Sequence, residues 1–275
     1  HIAPSTYYHC QQQRHHPDKR SARAQRDDWL KKEIQRVYDE NHKVYGVRKV
    51  WRQLLREGIR VARCTVARLM AVMGLAGVLR GKKVRTTIGR KAVVAGDRVN
   101  RQFVAERPDQ LWVADSTYVS TWQGVVYVAF IIDVFAGYIV GWRVSSSMET
   151  TFVLDALEQA LWARRPSGTV HHSDKGSQYV SLAYTQRLKE AGLLASTGST
   201  GDSYDNAMAE SINGLYKAEV IHRKSWKNRA EVELATLTWV DWYNNRRLLE
   251  RLGHTPPAEA EKAYYASIGN DDLAA

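Results

Sequence analysis

The sequence predicts an α/β protein with a mixed five-stranded sheet, preceded by an all-α region of helix-turn-helix type. Three observations support this. Apolar residues recur at helical spacing in the first 75 residues, segments rich in Val, Ile, Tyr and Trp begin near residue 110, and the charge balance changes between these parts. Hydrophobic residues make up 44% of the 275 residues, which is enough to build a packed core.

The first part of the chain is strongly basic. Residues 1–110 contain 25 Lys and Arg against 10 Asp and Glu, whereas residues 111–275 contain 15 against 19. A surface with this excess of cations binds polyanions, because neutralising phosphates releases condensed counterions. The charge balance therefore predicts that the first part binds nucleic acid.

The all-α region is predicted to contain three short helices. The first covers Asp27–Tyr38, where the two leading aspartates would favour the start of a helix. The second covers Val47–Leu55 and ends before Gly58, and the third carries an apolar stripe from Val66 to Met73. This spacing fits a plain three-helix bundle as well as a helix-turn-helix.

Basic residues on the outer faces of these helices favour the DNA-binding alternative. Arg63 and Arg68 lie off the apolar stripe, so we expect both to be available to a partner. The following segment has little core-forming pattern and is predicted to be a basic linker along a phosphate backbone. The candidate DNA-binding residues of these two regions are Arg48, Arg63, Arg68, Lys82, Lys83 and Arg85.

From residue 110 onward, three predicted strands precede an alternation of helices and short strands, which is an α/β layer pattern. The last 45 residues, with Trp239, Trp242 and Tyr243, are predicted to form a helical tail that packs on the core or on DNA. The predicted strands are Leu111–Tyr118, Gly124–Ile132, Tyr138–Ser145, Thr169–His172 and Leu194–Ser196, and the helices cover 151–164, 177–192 and 203–221. The predicted regions are 1–78 (DNA-binding), 79–107 (linker), 108–228 (catalytic) and 229–275 (tail).

Several classes of protein are disfavoured. The sequence has no run of roughly 20 apolar residues and no apolar secretion signal at its start, so we expect a protein of the cytoplasm with no membrane partner. Cys10 and Cys64 stand apart from each other and from any His pair at zinc spacing. Neither a disulfide framework nor a zinc site is therefore predicted.

Three acids occupy positions that suit a metal site. Asp115 lies within the strand segment Trp112-Val-Ala-Asp115, and Asp174 ends the strand that begins near Val170. Glu210 lies inside the last predicted helix of the catalytic region. A carboxylate near the interior of a sheet is costly unless it is paired or bound to a cation.

Magnesium ions would meet that requirement, because Mg²⁺ prefers oxygen ligands and leaves positions for water and substrate phosphate. Two such ions can bind the attacking and leaving oxygens of a phosphoryl displacement. Asp133 and Asp205 compete for the same role. We interpret Asp133 as an acid that binds its own turn and Asp205 as the N-cap of the helix that carries Glu210.

These residues match a known family. The segments Trp112-Val-Ala-Asp115-Ser-Thr117, His172-Ser-Asp174-Lys-Gly-Ser-Gln-Tyr179 and Asp205-Asn-Ala-Met-Ala-Glu210 resemble the DDE transposases of bacterial insertion sequences, and most closely the insertion sequence 3 family. The late Tyr243-Asn-Asn-Arg-Arg247 segment also looks like that family.

The resemblance implies an RNase H-like catalytic core in which Asp115, Asp174 and Glu210 hold two Mg²⁺ ions, with Mn²⁺ as a substitute. It implies cleavage at the inverted repeats of element ends, followed by attack of the freed 3′-hydroxyl on another phosphodiester. It also implies that Lys217 contacts DNA, with Gln178 and Asn206 as weaker candidates.

The partners implied are double-stranded DNA at element ends and target, further copies of the chain on that DNA, and an upstream reading-frame product or fused N-terminal part. The protein would then work at the bacterial nucleoid. Two alternatives stay open: a sequence-specific DNA-binding regulator with an inactive nuclease-like core, and an RNase H-type nuclease for RNA·DNA hybrids. The second leaves the helix-turn-helix without a purpose.

Overall fold

The structure, a computed structural model, describes residues 3–16, 20–81, 104–173, 178–197 and 207–274. The chain divides into two compact units, His1–Val78 and Leu79–Ala275. Each unit is described by itself below. Among the described residues, no helix has the length and apolar character that crossing a membrane requires.

The first unit is helical, as predicted. Its helices are α1 (Pro4–His15), α2 (Ala22–Glu40), α3 (Val47–Arg56) and α4 (Arg63–Val72). The last three pack around side chains with almost no exposed surface, among them Leu30, Ile34, Leu54 and Leu69. Every residue of α1 is at least partly exposed, so this helix lacks the apolar stripe by which the other three were recognised.

The start of α2 differs from the prediction. The helix begins at Ala22, where the Ser21 side chain accepts a hydrogen bond from the Ala24 N–H. Asp27 and Asp28 therefore do not mark the helix start. They lie further along α2 and bind cations instead, Asp27 pairing with Arg68 and Asp28 with Arg20.

The second unit contains the predicted mixed sheet. Its strands are β1 (Leu111–Thr121), β2 (Gly124–Asp133), β3 (Tyr138–Ser145), β4 (Val170–Ser173) and β5 (Leu194–Thr197), in the order β3-β2-β1-β4-β5. The first three form an antiparallel meander, whereas β4 and β5 add in parallel to β1. The meander and the helix-linked parallel strands are the two patterns that the sequence predicts.

The helices of this unit are α5 (Thr150–Arg164), α6 (Leu182–Glu190), α7 (Ala207–Glu219), α8 (Arg229–Asn245) and α9 (Pro257–Ala274). Helix α6 begins later than the residue 177 that the sequence analysis gives. Residues 178–180 form a turn, and the Ser181 side chain caps the helix by accepting a hydrogen bond from the Tyr184 N–H.

One face of the sheet packs against α5 and α6. The buried cluster between them includes Trp112 and Ala114 of β1, Ile131 of β2 and Phe152 of α5. Helix α5 lies very close to β3 at Gly141, where a Cβ atom would come within 2.2 Å of the Ala156 carbonyl oxygen. The absence of a side chain at Gly141 is therefore what allows this close packing.

The opposite face packs against α7 and α8. Asp115 pairs with Phe130 across β1 and β2, and the Phe130 ring lies 5.2 Å from the Tyr216 ring of α7 and 6.0 Å from the Trp239 ring of α8. The Asn244 amide of α8 donates to the Ile139 carbonyl and accepts from the Ile139 N–H, both at 2.9 Å. The predicted helical tail therefore packs on the core and contains two long helices.

Candidate active site

The site begins where the pairing of β1 with β4 ends. The last register pair of these strands joins Ala114 to Ser173. Asp115 is the next residue of β1, and its side chain is half-buried. Asp174 follows Ser173 directly in the chain and lies outside the described residues.

Helix α7 docks beside Asp115 through a hydrogen bond between side chains. The Asn213 amide donates from Nδ2 to Asp115 Oδ2 at 2.8 Å, and the Ser116 N–H donates to Asp115 Oδ1 at 2.8 Å. Glu210 lies three residues before Asn213 on α7 and is also half-buried. Residues three apart on a helix share a face, so Glu210 lies on the face of α7 that meets Asp115.

One amide oxygen next to these acids has no partner among the residues that the structure describes. Asn213 Oδ1 is buried and has no hydrogen-bond partner within the described part of the chain. Its amide nitrogen is already committed to Asp115, so this oxygen is an acceptor. The donor set here is therefore carboxylate and amide oxygen, which is the type that Mg²⁺ and its bound waters prefer. Among the described residues, which exclude Asp174, no group of three His, Cys, Asp or Glu side chains is arranged to hold a metal ion.

Lys217 lies one further turn along the same face of α7. Its ammonium group is 5.2 Å from the centre of the Tyr118 ring on β1, at the wall of an open groove. Gln178 instead donates from Nε2 to the Met148 carbonyl at 3.2 Å. Asn206 lies outside the described residues.

A linker residue contacts α7 directly. Arg80 donates from Nη2 to the Glu210 carbonyl oxygen at 3.2 Å. A Cβ on Gly214 would come within 2.2 Å of the same nitrogen, so the guanidinium lies over a position without a side chain. The sequence predicts that this basic segment follows a DNA backbone, and its pattern does not indicate the contact with α7. Lys82, Lys83 and Arg85 lie outside the described residues.

The other end of α7 carries a buried ion pair. Arg247 donates from Nε to Glu219 Oε2 at 3.0 Å and from Nη2 to Oε1, and Trp239 donates from Nε1 to Oε2 at 3.0 Å. The side chains of Arg247 and Glu219 are 5% and 4% exposed. Sequence analysis gave neither residue a role, although Arg247 belongs to a segment that carries the family resemblance.

Asp133 binds the backbone of its own turn, as the sequence predicts. It is buried, its Oδ1 accepts from the Phe135 N–H at 2.9 Å and its Oδ2 accepts from the Asp109 N–H at 2.6 Å. Burial raises the pKa of its carboxyl to about 7, although the two hydrogen bonds act to lower that pKa. Asp205, the other competitor, lies outside the described residues.

In the first unit, Arg48, Arg63 and Arg68 are exposed. Arg68 also pairs within the unit, because its guanidinium binds both oxygens of Asp27 at 2.9 and 2.8 Å. The apolar stripe shows which way Arg68 points but not which residue of α2 lies opposite.

Comparison with known proteins relates both units to characterised families. Residues 25–83 match an HTH-like domain, and residues 105–203 and 191–257 match two models of an integrase core domain. Among solved structures, the chain is similar to the catalytic core domain of HTLV-2 integrase, with 13% identity, a TM-score of 0.46 and coverage of 57% of this chain and 98% of that one.

Two curated relatives extend over nearly the full length. The transposase for insertion sequence element IS629 of Shigella sonnei is 98% identical over the 275 residues and 93% of its own length. The putative transposase for insertion sequence element IS986/IS6110 of Mycobacterium tuberculosis is 54% identical over 96% of both chains. The chain therefore belongs to the insertion sequence 3 family of transposases and carries an integrase core domain behind an HTH-like domain.

Proposed function

We propose that Asp115, Asp174 and Glu210 are the catalytic residues and that they hold divalent metal ions for cutting and joining DNA. The substrates are the inverted repeats at the ends of the element and a target duplex. Water is directed at a phosphodiester at each end, and the freed 3′-hydroxyl then attacks a second phosphodiester. In each step one P–O bond forms as another breaks, the attacking water or hydroxyl loses a proton, and the leaving 3′ oxygen takes one up.

The observation that carries this proposal is the hydrogen bond from Asn213 to Asp115, which fixes α7 against β1 at the end of the parallel pairing. Glu210 lies one turn from Asn213 on the same face of the helix. Asp174 is covalently adjacent to Ser173, whose register partner precedes Asp115.

The oxygen ligands fit a hard cation, and we propose two Mg²⁺ ions, with Mn²⁺ as a substitute. When bound, such ions polarise the phosphate and stabilise negative charge on the attacking and leaving oxygens. The protein's own part is orientation. Asn213 and the Ser116 N–H hold both oxygens of Asp115, and Asn213 Oδ1 can accept a hydrogen bond from a water at the site.

DNA contacts are assigned to basic side chains near the acids and on the first unit. Lys217 lies on the face of α7 that carries Glu210, so it is proposed to bind a phosphate beside the cut. Arg48, Arg63 and Arg68 are proposed to bind duplex DNA, with Gln178, Asn206, Lys82, Lys83 and Arg85 as further candidates. The chain would act as an oligomer at the bacterial nucleoid, together with an upstream reading-frame product or fused part.

The test is cleavage and joining of a DNA duplex that carries the element end. We expect activity in Mg²⁺ or Mn²⁺ and none in EDTA. Asp115→Asn, Asp174→Asn and Glu210→Gln should each lower the cleavage rate by about a thousandfold or more, because removing one member of a unit that acts together removes most of its effect. Affinity for the duplex, measured by anisotropy in EDTA, should stay within a few-fold.

Asp155→Asn is the matched control, because Asp155 is an exposed acid of the same unit that pairs with Arg143. We expect it to cut DNA like the wild type. Equal cleavage in EDTA, or cleavage retained by Asp174→Asn, would overturn the proposal. An active wild type also excludes the alternative of a DNA-binding regulator with an inactive core.

A further inference from the structure

An open groove lies beside the candidate active site, between the β1–β2 hairpin and the segment that follows α7. Its volume is about 520 Å³. The walls combine aromatic rings with lysine side chains, namely Tyr118, Trp122, Lys217, Lys224 and Trp226. The proposed function accounts for Lys217 alone among these residues.

The hairpin tip holds Trp122 in a fixed position. Thr121 and Gly124 close a two-residue turn, in which the Thr121 hydroxyl donates to the Gly124 carbonyl at 2.6 Å and accepts from the Gln123 N–H. The Trp122 N–H donates to the Trp226 carbonyl at 3.0 Å, which ties the tip to the segment after α7. The backbone is thus anchored on both sides.

The rings on this hairpin are nevertheless exposed. Trp122, in the turn, is 74% exposed, and Tyr118, on β1 of a sheet with a well-packed core, is 63% exposed. Large apolar side chains that a fold anchors and leaves in water are characteristic of binding surfaces. Their position beside a groove therefore indicates a ligand with flat apolar faces.

The charges in the groove indicate the rest of the ligand's chemistry. The Lys217 ammonium lies 5.2 Å from the Tyr118 ring centre, and the Lys224 ammonium lies 4.3 Å from the Trp226 ring centre. Glu231 is 3.8 Å from Lys224 and offsets part of its charge. A ligand with both an anionic backbone and stacking faces suits this combination, and single-stranded nucleic acid has both.

The distance from the acids indicates which part of a DNA strand reaches the groove. Lys217 follows Glu210 by seven residues on one helix, which corresponds to about 10 Å along the axis. Stacked nucleotides advance by about 3.4 Å per step, so about three nucleotides span this distance. A fully paired duplex keeps its base faces stacked inside and cannot offer them to Trp122.

We infer that this groove binds unpaired nucleotides of a DNA strand end, about three nucleotides from the cut, with bases stacking on Trp122 and Tyr118 and phosphates on Lys217 and Lys224. That these nucleotides belong to a strand end near the cut rests on the proposed function, whereas the preference for unpaired nucleotides does not. The transposase therefore binds a frayed end in preference to a closed one.

The experiment compares the full chain's affinity for a blunt DNA duplex and for the same duplex with a short single-stranded extension that carries 2-aminopurine. EDTA prevents cutting, and the ratio of the two affinities cancels binding by the first unit. We expect the wild type to prefer the extended duplex and to change 2-aminopurine fluorescence by stacking. Trp122→Ala should reduce the preference about tenfold, since one stacked base contributes about that much.

Two variants serve as controls. Trp122→Phe keeps an aromatic face and should keep most of the preference. Trp162→Ala removes a tryptophan on α5 that is 81% exposed and outside the groove, and it should leave the ratio unchanged. The inference is overturned if the wild type shows no preference, or if Trp122→Ala and Trp162→Ala behave alike while both remain folded by circular dichroism.

The two proposals fail separately. If the wild type cuts DNA in Mg²⁺ but Trp122→Ala keeps the full preference, the groove assignment is wrong and the catalytic one stands. If Trp122→Ala loses the preference but the wild type cuts no DNA, the catalytic assignment is wrong and the groove binds unpaired DNA for another purpose.

Discussion

The charged side chains at the two ends of α7 differ in their burial and in their hydrogen-bond partners. At the C-terminal end, the Glu219 carboxylate is buried and receives hydrogen bonds from Arg247 and Trp239. At the N-terminal end, Glu210 and Asp115 are half-buried, and the neighbouring Asn213 Oδ1 has no partner among the described residues. We call the end of α7 at Glu219 the closed end and the end at Glu210 the open end.

The residues that fix the position of α7 are therefore different from those proposed to bind metal. A buried carboxylate paired with a guanidinium and an indole fixes the position of α7 but offers nothing to a ligand. Under the proposed function, the half-buried acids at the other end would repel each other and favour a bound cation. The closed end thus holds the open end in place, and each of the following predictions tests one side of that comparison.

The largest effect is expected at the closed end. Arg247→Ala leaves the buried Glu219 carboxylate without its guanidinium partner and should lower the free energy of unfolding by about 3–5 kcal/mol, as measured by urea denaturation. Arg229→Ala on the same helix α8 is the control, because Arg229 forms an exposed pair with Glu233 at 3.8 Å that should contribute less than about 1 kcal/mol.

Replacing both partners sharpens this prediction. The double variant Glu219→Leu with Arg247→Met removes both charges and should recover most of the stability that Arg247→Ala loses. If the double variant is as unstable as the single one, packing around Arg247 and not the unpaired charge explains the loss.

The buried acid Asp133 gives a pH-dependent effect. Burial raises its pKa to about 7, so the folded state holds a proton on this group that the unfolded state has released. Its contribution to stability is therefore present at low pH and is lost as the pH rises from about 4 to about 7, by at most about 4 kcal/mol. Asp133→Asn cannot titrate, so the stability of the wild type relative to this variant should fall across that range.

The measurement is urea denaturation of both proteins at several pH values. Above pH 7 the difference between them should become constant, since Asp133 is then ionised in both states. A difference that does not change between pH 4 and pH 7 would show that the carboxyl keeps an ordinary pKa in the folded protein.

A smaller effect is expected at the open end. Asn213→Ala removes the donor that orients Asp115 and should lower the cleavage rate about 10–100-fold and raise the Mg²⁺ concentration needed for half-maximal activity, as loss of a residue behind a metal ligand does. Asn245→Ala is the matched control, because Asn245 donates to exposed Asp241 on α8. Unchanged metal dependence in Asn213→Ala would show that Asn213 only docks the helix.

The accuracy of each predicted element depended on whether its apolar residues recur at regular spacing along the sequence. The three long strands follow from runs of β-branched and aromatic residues, and Asp115 is correctly predicted to lie on a strand because its neighbours carry that pattern. Helix α1 was missed because its residues lack apolar periodicity. The start of α2 was misassigned because the Ser21 cap lies several residues before the apolar stripe begins.

Contacts between distant residues could not be predicted from the sequence. Asn213 and Asp115 are 98 residues apart, and Arg80 and Glu210 are 130 residues apart. Which side chains meet depends on how α7 docks on the sheet, and that is set by the packing of Tyr216 and Trp239 on Phe130. Periodicity shows that Glu210, Asn213 and Lys217 share a face, but not what that face meets.

In the first unit, two arginines differ in the same way, and here the smallest effect is expected, on the salt dependence of DNA binding. Arg63 and Arg68 are both exposed on α4, but Arg68 binds both oxygens of Asp27. Arg63→Ala should therefore reduce the slope of log affinity against log salt concentration by about 0.9, as expected for one lost phosphate contact, and Arg68→Ala should reduce it by less. Asp27→Asn should release Arg68 and increase the slope. Equal slopes for Arg63→Ala and Arg68→Ala in anisotropy titrations would show that the pair with Asp27 opens when DNA binds.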